Sequence, residues 1–122
     1  MLEVSAQPRR IIVAFDGSES ALRALDAAAQ LTGYGSTLTV VSIAPGDEGR
    51  ETLAGARELL LSRGVTARYV TRSGEEAADE IVEAARELEA DLIVVGRRAR
   101  REDESVSAEI VRTAASDVLV VA

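Results

Sequence analysis

Five short apolar runs alternate with four segments of helical spacing, and this strict alternation constrains the fold more than any other feature of the chain. Ile11 to Phe15 reads IIVAF, a continuous run of the kind that forms a strand covered on both faces. Asp16-Gly17-Ser18 breaks it, and from about Glu19 to Thr32 the positions Leu22, Leu25 and Ala29 repeat at helical spacing, with Gly33 placed for a C-cap. Thr37 to Ile43 (TLTVVSI) is the second strand, closed by Ala44-Pro45-Gly46. Asp47 to Arg50 reads as a polar loop, and Leu53, Ala56 and Leu60 mark a second helix that stops at Arg63-Gly64. Thr66 to Thr71 alternates polar and apolar, which predicts an edge strand. Ser73-x-x-Glu76 fits a capping box ahead of the stripe Ala78, Ile81, Ala85 and Leu88. Leu92 to Val95 is a fourth strand ending at Gly96; a helix follows from about Ser105 to Ala115, and Val118 to Val121 closes the chain. Strand and helix in strict turn, joined by short connections, give an α/β domain with a parallel, doubly wound sheet and right-handed crossovers.

The 122 residues suffice for one domain with one real core. Residues 1–9 show no periodicity and are expected to form a flexible leader, leaving residues 10–122 as the domain. Aromatic residues make up only 2% (Phe15, Tyr34 and Tyr69), so the core must be built from Val, Leu, Ile and Ala. The formal charge of −7 repels phosphate backbones and disfavours nucleic acid as a partner. No apolar run reaches the roughly 18 residues that span a bilayer, and no secretory signal is visible. The expectation is a cytoplasmic protein without a membrane partner.

The chain has no Cys, no His and no Lys. Thiol nucleophiles, Ser-His triads, the common zinc sites, Schiff-base chemistry and a phosphate-loop lysine are thereby excluded. No catalytic residue and no metal site is expected. In doubly wound sheets, ligands sit beyond the C-terminal ends of the strands, near the point where the strand order reverses. Asp16–Ser18 and Gly96–Ser105 are therefore the segments where chemistry belongs.

The segments IIVAFDGSESALRALDAA, LTVVSIAPG, ADLIVVGRRAR and SVSAEIVRTAASDVLVVA, in this order and at these spacings, resemble the universal stress protein family over Arg10 to Ala122. The resemblance implies a Rossmann- or flavodoxin-like fold of the adenine nucleotide α-hydrolase type, with strand order 3-2-1-4-5. It also implies a homodimer in which the last strands pair antiparallel, here through Val118, Leu119, Val120 and Val121. Pairing would cover an apolar edge that otherwise invites aggregation.

Family members that bind ATP carry Gly-x2-Gly-x9-Gly-(Ser/Thr) after the fourth strand. Gly96 matches the first glycine, but Ala99 stands at the second, the spacer is several residues shorter, and Glu104 replaces the last. Those glycines let backbone N–H groups approach phosphates, and a bare helix start favours anions. Glu102-Asp103-Glu104 instead places carboxylates there, where the helix dipole favours them by about 0.3–1 kcal/mol. Arg97, Arg98, Arg100 and Arg101 either pair with that acidic triplet or fork onto phosphates. By the same resemblance, Ala14, Phe15 and Asp16 fall at the base and ribose, and Ile43 beside the adenine. Val95, Gly96, Arg98, Ser105 and Val106 complete the nucleotide-binding residues that the resemblance implies. Asp16 has two readings: an acceptor for a ribose hydroxyl, or an Asx-turn that orders Gly17-Ser18. Ser105 or Ser107 also reads as an ordinary helix cap. The resulting expectation is a non-catalytic, homodimeric stress-response or regulatory module with weakened or absent ATP binding and no cofactor. The alternative is an ATP or other adenine-nucleotide binder that uses the Arg-rich loop for phosphates.

Overall fold

The computed structural model describes residues 10–33, 35–45, 47–97 and 106–122. The expected leader over residues 1–9 lies outside them, as does the Arg- and Glu-rich stretch 98–105. The elements are β1 (Arg10–Ala14), α1 (Glu19–Leu31), β2 (Thr37–Ile43), α2 (Glu48–Ser62), β3 (Arg68–Arg72), α3 (Ala77–Glu87), β4 (Leu92–Gly96), α4 (Val106–Thr113) and β5 (Asp117–Val121). All neighbouring strands pair in parallel, in the order β3-β2-β1-β4-β5. Strand order and alternation agree with the sequence expectation.

The strand period of two divides the apolar residues between two cores. Ile11, Val13 and Phe15 join Val40 and Val94 beneath α1 and α2, whose Leu25 and Leu60 are fully buried. Ile12 and Ala14 join Val41, Ile93 and Val95 beneath α3 and α4, where Ile81 and Ile110 close the layer. Both faces of β1 and β4 are therefore dry, which is why these strands read as unbroken apolar runs. At the sheet's edge, β3 (Arg68, Tyr69, Val70, Thr71, Arg72) is only half covered. Arg57 of α2 lies over the Tyr69 ring, 5.5 Å from its centroid.

Several local expectations are corrected. Glu48 to Arg50 is helical, because α2 begins a turn before its first fully buried leucine, with Glu48 and Glu51 favouring the positive end of its dipole. Ser73 caps nothing: α3 starts at Ala77 after Glu76, which makes no side-chain cap bond. α1 ends on Thr32, whose hydroxyl donates to the Ala28 carbonyl, and the left-handed glycine of that turn is Gly35. Helices α2 and α3 close alike. Val65 N–H donates to the Leu60 carbonyl and Gly64 N–H to Leu61; Ala90 N–H donates to Ala85 and Glu89 N–H to Arg86. The left-handed residue is Gly64 (φ 71°) in the first and Glu89 (φ 56°) in the second.

Candidate functional site

The strand order reverses between β1 and β4, so the loops leaving these strands diverge and open a cleft at their C-terminal ends. The cleft encloses about 490 Å³, counting its open mouth. Ala14, Val41, Ile43 and Val95 form its floor, Ala77 and Ile81 one wall, and Val106 another. The polar groups on its rim are Asp16, Ser18 and Ser20.

The Asp16 loop is built by its own side chains. Asp16 Oδ1 accepts from Ser18 N–H at 2.9 Å, the Asx-turn reading of the sequence. Gly17 between them has φ 84°, a conformation that glycine adopts without steric cost. Ser18 Oγ then accepts from Ala21 N–H at 3.2 Å and caps α1. One carboxylate thus fixes the loop and stands at the rim of the cleft.

Of the residues singled out from sequence, Ala14, Phe15, Asp16, Ile43, Val95, Gly96 and Val106 come together here. Arg98 and Ser105 lie outside the described residues. Phe15 is 4% exposed and packs in the core on the opposite face, so it lends the cleft main chain and not its ring. Gly96 has a packing role: a Cβ there would meet the Ser20 backbone at 2.7–2.8 Å, so the bare Cα lets α1 approach β4. Ser107 lies inside α4, and its hydroxyl donates to the Arg97 carbonyl at 3.3 Å, which ties α4 to the end of β4. Ser18, from the segment Asp16–Ser18, lines the cleft too, and so do Val41, Ser20, Ala21, Ala77 and Ile81, which were not singled out. For Ile81 the chain offers only a helical stripe and for Ala77 no signal at all, and their place at the cleft follows from how α3 docks on the sheet. Among the described residues, no cluster of three or more acidic, His or Cys side chains could hold a metal ion. No helix among them is long and apolar enough to cross a membrane.

The chain is a doubly wound parallel α/β domain with a cleft at the switch point of its sheet. The sequence profile of the universal stress protein family matches residues 44–122. A universal stress protein solved in complex with cAMP is 32% identical, with 95% of this chain and 98% of that one covered and a TM-score of 0.82. Protein Rv1636 from Mycobacterium tuberculosis H37Rv is 31% identical, with 98% of each chain covered and a TM-score of 0.72. A universal stress protein from Archaeoglobus fulgidus is 29% identical, with 93% and 98% covered and a TM-score of 0.78. No curated protein matches in sequence. The chain belongs to the universal stress protein family.

Proposed function

We propose that the chain is a non-catalytic, homodimeric regulatory module of the stress response, whose cleft receives the base-and-ribose end of an adenine nucleotide with little hold on a phosphate chain. The observation that carries this reading is the cleft itself: a largely apolar lining at the strand ends, with the Asp16 carboxylate beside it. A relative at 32% identity, solved with cAMP, supports a compact adenine nucleotide as the occupant. The departures at Ala99, the shortened spacer and Glu104 speak against a gripped triphosphate.

The homodimer reading has support from an asymmetry between the sheet's two edges. β3 presents the exposed Arg68, a charge that discourages strand addition. β5 presents Leu119 and Val120, each 37% exposed. Leu22 of α1 and Val111 of α4, the helices that pack on β5, are exposed as well. An apolar edge of this kind suits pairing with its symmetry mate.

Calorimetric titration with cAMP, AMP and Mg-ATP tests the ligand. The expected result is measurable binding of cAMP and AMP, no gain for ATP, and no release of inorganic phosphate. ATP binding at least tenfold tighter than AMP would favour phosphate capture by the Arg-rich loop and overturn the reading. For the assembly, Leu119→Lys should shift the light-scattering mass from dimer to monomer; an unchanged mass would refute pairing through β5.

A further inference from the structure

We infer that Arg72, which does not line the cleft, is a positioning residue that clamps the cleft's α3 wall to its floor. This deepens the nucleotide reading above and rests on it for the ligand. Arg72 is the last residue of β3 and the register partner of Ile43, a floor residue. Its carbonyl accepts from Ala44 N–H at 3.0 Å, so its main chain is fixed to the end of β2. Its side chain turns to α3: Nε lies 3.2 Å from Glu80 Oε1 and Nη1 lies 2.9 Å from Glu87 Oε1. Glu80 and Glu87 are seven residues apart, two turns along one face of the helix. One guanidinium thus holds α3 at two heights, and Ala77 and Ile81, the wall residues, flank the first of them.

Three further features make this clamp more than a surface ion pair. Arg72 and Glu80 are 23% and 27% exposed at the side chain, so solvent screens this arm less than the outward pair Arg86–Glu83, where Arg86 is 71% exposed; the second arm ends on Glu87, which is 55% exposed. The Arg72 guanidinium is held in its charged form above its ordinary value, chiefly by the hydrogen bond to Glu87. Glu76 gives α3 no side-chain cap, so the first turn lacks the usual local anchor just where it forms the wall. Gly74 completes the arrangement: a Cβ there would sit 2.5 Å from the Glu80 Cγ and Cδ, so the loop between β3 and α3 lies directly on the clamp.

The test uses the whole chain and two independent perturbations. Arg72→Met keeps the aliphatic stem and removes the fork; Gly74→Ala keeps every charge but displaces Glu80. Arg86→Met removes an equal charge from α3 without touching β3 and serves as the control. Amide hydrogen exchange over residues 80–84, whose N–H groups bond within α3, is read on the free protein, and cAMP affinity by calorimetry. Both clamp variants should speed exchange there by about tenfold. Both should weaken cAMP by roughly three- to tenfold, within the range for residues that act on a site without contact. Arg72→Lys, a point charge in place of a fork, should restore only part of each effect, and Arg86→Met should change neither. Unchanged exchange in both variants overturns the clamp, and faster exchange with unchanged cAMP affinity overturns its link to the cleft. A chain that binds no cAMP sinks the nucleotide reading, while the exchange arm still confirms or overturns the clamp by itself.

Discussion

Gly96→Ala is the sharpest probe of how the cleft is held open, because the structure gives the collision atom by atom. The added Cβ would lie 2.5 Å from Ser20 Oγ, 2.7 Å from the Ser20 carbonyl carbon and 2.8 Å from its oxygen. The hydroxyl can rotate away, but the backbone cannot. Ser20 sits in the first turn of α1, which is fixed by the Ser18 cap and by Asp16 behind it. Relief therefore requires α1 to shift from β4, and overpacking of this kind costs about 1–3 kcal/mol. Loss of glycine's freedom in the unfolded chain offsets about 0.4–1 kcal/mol. The net expectation is destabilisation of about 1–2 kcal/mol, or roughly 4–10 °C in Tm for a chain of this size. Urea unfolding followed by circular dichroism would show a lower midpoint with an unchanged slope. Gly55→Ala is the matched opposite. Gly55 lies inside α2 with no atom within 4 Å of its would-be Cβ, so the same change should stabilise by about 0.5–1 kcal/mol. A Gly96→Ala chain at least as stable as wild type would refute the close approach of α1 to β4.

Three other outcomes follow from particular contacts. Glu89→Gly should stabilise by about 0.5–1 kcal/mol in the same urea assay: it relieves a left-handed residue, at the loss of an exposed Arg10 ion pair worth little. Ser18→Ala should cost about 1 kcal/mol through the lost cap of α1. Burial raises the Tyr69 pKa, with the Arg57 charge opposing, so the folded chain holds that proton to higher pH than the unfolded one. This increment of stability is present below the unfolded value and declines as pH rises through the folded one. In a Tyr34→Phe background, tyrosinate absorbance should therefore appear at higher pH in the folded chain than in urea, and coincident titrations would refute the shift.

Much of the fold is legible in the residues because burial on both faces leaves a local trace. The short apolar run from Ile11 fits a strand with a dry surface on either side, and the polar residues interleaved over 66–71 mark β3 as an edge. Asp16-Gly17-Ser18 announces its turn because the bonds that make it span two or three residues. The start of α2 and the missing cap of α3 were not legible. Gly49 is buried in the first turn of α2 by Thr71, and the Ser73 loop is set by Arg72 and Glu80; both depend on partners far along the chain.

The sequence by itself determined the alternation, the absence of Cys, His and Lys chemistry, and the loops in which any site must lie, since period, composition and turn chemistry are local properties. Only the tertiary structure decided that Ala77 and Ile81 wall the cleft, that Phe15 turns its ring away from it, and that Gly96 is bare to admit Ser20. The reason is geometric: a helix stripe says which residues are buried, but the packing of the helix on the sheet decides which of them meet the space at the strand ends.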